Sequence, residues 1–292
     1  MKKKINIFQI VIFIVLLLYT VSMFYVIFYA GITSLKPHRD FDVNQNYLGF
    51  PSQIDFSNYE IVFNNFYIDD PIYPWVQIGF WEQLLYTILY AGVSCLLTAL
   101  APLLMAYACT KFRYQFNAVI SVIVIVTMIT PIVGASTSMI SVLHSFRLYN
   151  TIFGVYCEKF IFANMYFLIY SGILANVPRS FCEAAEMDGA SEFTVLTRIM
   201  LPMVKNVFLT IALIYFINYW NDYQTPLLYM PSYPTLSYGV YNMTVNTSAS
   251  MGLNYKTVQM AASMTLIVPI LILFVIFKDK IMGNLTMGGE KE

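Results

Sequence analysis

Apolar runs too long for most water-soluble cores dominate this chain. "IVIFIVLLLYTVSMFYVIFYAGI", from Ile10 to Ile32, contains no Asp, Glu, Lys or Arg. A helix of ~20 such residues crosses the ~30 Å hydrocarbon layer of a bilayer. Inside lipid every backbone polar group needs a partner within the protein, which makes the helix the natural spanning form for such a run. Six segments have the required length and character, at about 8–32, 83–109, 118–141, 160–177, 206–229 and 258–277. The chain is 59% hydrophobic and only 11% charged, where soluble domains carry about a quarter charged residues. The expected fold class is an all-α integral membrane protein with six transmembrane helices. Pro102, Pro131, Pro226 and Pro269 interrupt several segments. Proline is tolerated at membrane depth where neighbouring helices or water satisfy the freed carbonyl, so a packed bundle around a cavity is expected.

The first run exceeds the 7–15 residues of a signal-peptide core, and no small-x-small cleavage site follows it. It is read as an uncleaved span with Lys2, Lys3 and Lys4 in the cytoplasm. With both termini inside, the cytoplasmic segments hold Lys2, Lys3, Lys4, Lys111, Arg113, Arg179, Arg198, Lys205, Lys278, Lys280 and Lys291. The outer segments hold Lys36, Arg39, Arg147, Lys159 and Lys256. Eleven against five favours the N-in, C-in arrangement. The resulting division is an N-terminal transmembrane helix at 1–32, an extracellular cap at 33–82, and a five-helix transmembrane domain at 83–292 with a cytoplasmic tail from 278. The cap should fold with short helices. Its "DVNQNYLG" alternates Asp42, Asn44 and Asn46 like a calcium loop, but Tyr47 and Gln53 stand where an EF-hand needs Gly and Glu. An Asx-rich turn is the expectation.

Against this background "SFCEAAEMDGASEF", Ser180 to Phe193, concentrates four carboxylates: Glu183, Glu186, Asp188 and Glu192. Ser180 and Glu183 have capping-box spacing. Gly189 suits the left-handed residue that closes a helix, and Ser191 can cap the next one. Leu201 and Pro202 should stop that second helix before the fifth span. The product is a helix–turn–helix of about 180–202 at the cytoplasmic surface. A helix resting on anionic lipid headgroups should be rich in Lys and Arg; an acidic one fits docking to a basic protein partner better.

"EAAEMDGASEFTVLTRIMLP" resembles the EAA---G---------I-LP signature of ABC importer permeases, through Glu183, Ala184, Ala185, Gly189, Ile199, Leu201 and Pro202. Other segments are similar to the carbohydrate-uptake, MalG-like branch: "MAYACTKFRY", "FRLYNTIFG", "FINYWNDYQTPLLY" and the last span with its Gly-Lys tail. The likeness covers about 80–292 and departs at "LLYTIL", where Tyr86 replaces the family's usual Asn. The resemblance implies a type I importer permease fold in a bacterial cytoplasmic (inner) membrane. It also implies a coupling helix, with Asp188 among its contacts, docked on a cytoplasmic ATPase dimer. Further implied partners are a second, different permease and an extracellular solute-binding protein that delivers a carbohydrate, with an oligosaccharide expected. ATP and Mg would be bound by the ATPase, leaving no cofactor or metal to this chain.

The residues set their own bounds. No GxxxxGK[ST], HExxH or GxSxG occurs. His38 and His144 lack partners at ligand spacing, and Cys95, Cys109, Cys157 and Cys182 lack CxxC spacing and read as apolar fillers. Zero net charge gives no field for nucleic acid. Polar groups at membrane depth are candidates for the substrate pathway. In "YFINYWNDYQTP", Tyr215, Asn218, Asp222 and Thr225 or Pro226 recur at helical spacing, with Trp220 and Asn221 beside them. In the third span Thr127, Pro131, Gly134, Ser138 and Ser141 form a small polar stripe that suits either lining or helix packing. A belt of aromatics at the outer interface is the competing reading of the fifth-span cluster. A permease for a peptide or phosphate would keep the EAA element; a secondary transporter or membrane enzyme would not need it.

Overall fold

The computed structural model describes residues 7–112, 115–130, 134–178, 180–245 and 253–285, with the side chains of the last helix described as far as Ile276. Lys2, Lys3, Lys4, Arg113, Pro131, Arg179, Lys291 and the final stretch of the tail lie outside the described residues. The chain is mostly helical. Among the described residues, four helices are long and apolar enough to cross a membrane: Ile7–Ser34, Phe80–Lys111, Glu192–Trp220 and Lys256–Ile276.

The chain divides into two units. In the first, α1 (Ile7–Ser34) exposes apolar side chains on all sides from Ile7 to Phe28, the pattern of a helix solvated by lipid. It leads into a cap with two short helices, α2 (His38–Asp42) and α3 (Ser57–Asn65). Asn58 donates to the carbonyls of Ser34 and Lys36 at 2.8 Å each and accepts from Thr257 Oγ1 at 3.2 Å. The Asx-rich stretch is a turn built on Asp40. Its carboxylate accepts from the Asn44 and Asn46 amides and from the Ser52 N–H, while buried Lys36 donates to the carbonyls of Asn46 and Tyr47. His38 stacks on Tyr255.

The expected all-α fold needs one correction. β1 (Tyr67–Asp69) and β2 (Gln77–Gly79) form a two-stranded sheet. Asp70 closes the connection by accepting from the N–H groups of Ile72 and Tyr73, a local bond that competes with helix.

The second unit holds α4 (Phe80–Lys111) from Glu82 onward, α5 (Asn117–Ile129), α6 (Ala135–Ser145), α7 (Ile152–Lys159), α8 (Met165–Ala175), α9 (Ser180–Met187), α10 (Glu192–Val195), α11 (Leu201–Trp220) and α12 (Gln224–Tyr229). α13 (Leu236–Val245) and α14 (Lys256–Leu285) are divided between the units. The segment expected at 118–141 consists of α5 and α6, with Gly134 in the left-handed region at φ +76 just before α6. The segment expected at 160–177 is helical only over the 11 residues of α8, which Asn164 starts by accepting from Tyr166 N–H. One apolar cluster joins Leu103, Ala106 and Tyr107 of α4 to Phe167, Tyr170 and Leu174 of α8 and to Val195, Met200 and Val204. A second gathers Tyr90, Leu143, Val155, Tyr219, Trp220 and Tyr229. The cysteines are free; Cys95 and Cys182 are buried, but Cys157 is exposed, so the apolar-filler reading does not hold there.

Candidate functional site

The acidic stretch folds as two helical arms around Gly189. α9 ends in a Schellman closure: Ala190 N–H bonds to the Ala185 carbonyl at 2.9 Å and Gly189 N–H to the Glu186 carbonyl at 3.0 Å. Gly189 sits at φ +79, where a side chain is disfavoured by about 1 kcal/mol or more. A Cβ there would meet nothing within 4 Å, so the demand for glycine comes from the backbone alone. Ser191 then caps α10, its Oγ accepting from Thr194 N–H at 3.3 Å.

Leu201 and Pro202 do not end the second arm. The helix runs unbroken from Glu192 to Trp220, through a π turn at Leu196–Met200. The N–H of Leu201 reaches back five residues to the Leu196 carbonyl. A turn widened just before Pro202 gives its ring room and absorbs its missing donor. The hairpin is therefore continuous with the long helix of the fifth apolar segment.

The two arms present distinct faces. Cys182, Val195 and Met200 are buried in the core, with Ala185, Ile199 and Leu201 packed against it. Glu183, Ala184, Met187, Asp188, Phe193 and Pro202 are exposed. Glu186 and Glu192 turn toward the end of α4, where Lys111 Nζ lies 2.9 Å from Glu186 Oε1 and pairs also with Glu192. Tyr107 OH donates to Glu192 at 3.1 Å. A cavity of about 600 Å³ opens among these elements, lined by Lys111, Leu174, Cys182, Glu183, Glu186 and Glu192 with others. Of the four carboxylates of this acidic stretch, Glu186 and Glu192 pair with Lys111 within the chain instead of facing a basic partner.

At the other end of α11 the shared face expected for Tyr215, Asn218 and Asp222 breaks down. The helix stops at Trp220, and Asp222 lies in the turn that follows. Its Oδ1 accepts from the N–H groups of Gln224 and Thr225, starting α12, and its Oδ2 accepts from Tyr90 OH at 2.7 Å. Trp220 is 3% exposed and packs on Phe216. Tyr215 is half-buried and stacks on Tyr219. Asn218 and Asn221 are exposed, as are Thr127 and Ser138; Thr127 Oγ1 donates to the Val124 carbonyl and Asn221 Nδ2 to the Ile217 carbonyl.

Beside this turn lies a polar cluster that sequence reading missed. Lys159 Nζ is 3.0 Å from Glu158, 3.3 Å from Thr225 Oγ1 and 5.0 Å from the centre of the Tyr219 ring. Thr98 Oγ1 contacts both the Lys159 carbonyl, at 3.1 Å, and Tyr219 OH, at 2.9 Å. Tyr90 and Thr98 stand eight residues apart on α4 and so share one face, which was the available signal.

Four helices long and apolar enough to cross a membrane, one of them continuous with a Gly-closed acidic hairpin, place the chain in the class of helical membrane proteins. The model of the family described as "Binding-protein-dependent transport system inner membrane component" matches residues 98–283, and the chain belongs to that family, whose members are transport components rather than enzymes. Among its relatives, the arabinooligosaccharides transport system permease protein AraQ of Bacillus subtilis (strain 168) is 25% identical over 91% of this chain and 89% of its own length. The multiple sugar-binding transport system permease protein MsmG of Streptococcus mutans serotype c is 26% identical over 86% of each. The fold is shared, at TM-score 0.74 and 22% identity, with a chain of a bacterial ABC transporter involved in import of the acidic polysaccharide alginate, covering 94% of this chain and 96% of that one.

Proposed function

We propose that this chain is one permease subunit of an ATP-driven importer of carbohydrates, with oligosaccharides as the substrate class. The observation that carries the reading is the hairpin: an acidic element closed by Gly189 and fused through one continuous helix to the polar residues near Trp220. The relatives' transport of arabinooligosaccharides and of multiple sugars, as their names state, supports the substrate class.

In this reading the two shorter apolar helices, α5 and α8, complete a six-span, type I arrangement with both termini inside a bacterial cytoplasmic membrane. The exposed face of Glu183, Ala184, Met187, Asp188 and Phe193 seats on a cytoplasmic ATPase, which holds ATP and Mg. Apolar Met187 and Phe193 supply contact area, and Glu183 and Asp188 supply charge. Closure of the ATPase pair moves the hairpin. The unbroken helix of 29 residues, roughly 40 Å at 1.5 Å per residue, carries that displacement to Asn218. A second, different permease completes the pathway, and an external binding protein delivers the sugar. Asn218, Asn221, Thr127 and Ser138 offer side-chain amides and hydroxyls to sugar hydroxyls, Tyr215 lends an aromatic edge, and Trp220 and Asp222 hold the end of the pathway in shape.

The test is reconstitution of the four components in vesicles. Uptake of a labelled oligosaccharide should require both ATP and the binding protein, and the purified chain alone should hydrolyse no ATP. ATP-independent uptake by the chain alone would overturn the reading.

A further inference from the structure

We propose that Lys111 is the positioning residue through which α4 holds both arms of the hairpin, so that they move as one body. The inference rests on the coupling reading above and deepens it. Lys111 is the last residue of α4. Its side chain is 10% exposed, against 46% for Glu186 and 56% for Glu192. One ammonium thus serves a carboxylate from α9 and another from α10, on either side of Gly189. Tyr107, one turn earlier, donates to Glu192 at 3.1 Å. The aromatic rings of Tyr107 and Phe112 lie 5.7 and 5.6 Å from the ammonium and keep water from much of its surface.

An exposed ion pair contributes little to stability, but this arrangement has a different consequence. A cavity lies beside it, lined by Thr110, Lys111 and Phe112 at the end of α4 and by Glu183, Glu186 and Glu192 of the hairpin. Lys111 bridges there. Without its charge, Glu186 and Glu192 become neighbouring like charges that repel, and the arms keep only the turn at Gly189 and the apolar contacts of Cys182, Ala185 and Val195 with the core. Force applied to α9 would then bend that turn instead of moving α10 and its continuous helix. α4 also reaches the far end of the same helix through Thr98 and Tyr219 and through Tyr90 and Asp222. A clamp at Lys111 therefore gives the hairpin two routes to that end, along α11 and along α4.

The experiment uses the full importer in vesicles with Lys111→Met, Lys111→Arg and the exchange pair Lys111→Glu with Glu192→Lys. For Lys111→Met the expected result is retained co-purification of the ATPase and retained basal hydrolysis. Sugar taken up per ATP hydrolysed should fall by about tenfold, the equivalent of ~1.4 kcal/mol. Lys111→Arg, which can also serve two carboxylates, should keep most of the coupling, and the exchange pair should recover a large part of what Lys111→Glu alone loses. An unchanged ratio of uptake to hydrolysis in Lys111→Met overturns the inference. So does loss of ATPase binding in that variant, which would make Lys111 a docking residue. Should Lys111→Met fail to reach the membrane, an exchange pair that does reach it and recovers nothing overturns the inference equally. Failure of the unaltered chain to bind an ATPase would instead strike the coupling reading itself.

Discussion

Tyr90 OH donates to Asp222 Oδ2 at 2.7 Å, joining residues 132 positions apart. Tyr90 is wholly buried, and the same carboxylate starts α12 with its other oxygen. Removing the donor leaves a part-buried charge short of a partner. A hydrogen bond to a charged group contributes about 1.5–3 kcal/mol, so Tyr90→Phe should cost that much. Asp222→Ala should cost more, because it also deletes a helix cap of ~1 kcal/mol. Thermal unfolding of both single variants and the double variant in detergent checks this; additive losses would show that the two groups are not coupled.

Asn218 and Asn221 should behave in the opposite way. Both are exposed, and exposed substitutions usually change stability by no more than about 0.5 kcal/mol. Asn218→Ala and Asn221→Ala are expected to leave membrane level and unfolding temperature unchanged while lowering sugar uptake several-fold, on the order of 1 kcal/mol for a lost hydrogen bond. Uptake kinetics identical to the parent in both variants would return these amides to the interfacial belt.

The cap should loosen in acid. The Ser52 N–H, with help from the Asn44 and Asn46 amides, holds the Asp40 carboxyl below the ordinary carboxylate range. A depressed folded-state pKa means stabilisation that is fully present above the unfolded value of about 4 and lost as pH falls through the lower folded value. Amide-exchange protection over residues 40–52 should therefore be constant from neutral pH down to about 5 and drop below 4. Asp40→Asn should show reduced protection already at neutral pH and little further change in acid.

What the sequence made legible was local. Gly189 and Ser191 are read correctly because a left-handed closure and an N-cap depend on residues within one turn. Lys111 with Glu192 spans 81 positions, and no spacing rule reaches that far. Pro202 reads as a stop because a proline ordinarily ends a helix; the π turn that accommodates it lies in a stretch whose Val195, Met200 and Val204 are buried in the core, which local spacing does not reveal. Asp222 continued the helical spacing of Tyr215 and Asn218 past the true end of the helix. The signal against it lay in "DYQTP", an Asp followed by a Thr-Pro pair, which starts a new helix as readily as it continues an old one.

The backbone of Gly189 gives the sharpest test of the hairpin. Its φ of +79 is reached without crowding, since nothing lies within 4 Å of a built Cβ. Substitutions should therefore rank by backbone preference and not by size. Asn visits the left-handed region most readily among residues with side chains and should be nearly silent. Ala should cost about 1 kcal/mol, and Val, branched at Cβ, should cost more. Asp tolerates the conformation but places a second negative charge beside Asp188, at the negative end of α9 and on the exposed docking face. Insertion of the apolar helices does not depend on this turn, so all four variants should reach normal membrane levels. ATPase co-purification and ATP-driven uptake should then fall in the order Asn, Ala, Val, with Gly189→Asp losing uptake through charge despite a tolerated backbone. Glu183→Ala, which removes an exposed carboxylate and leaves the turn intact, should weaken association less than Gly189→Asp. Full association and full uptake in both Gly189→Val and Gly189→Asp would falsify the docking role of the hairpin.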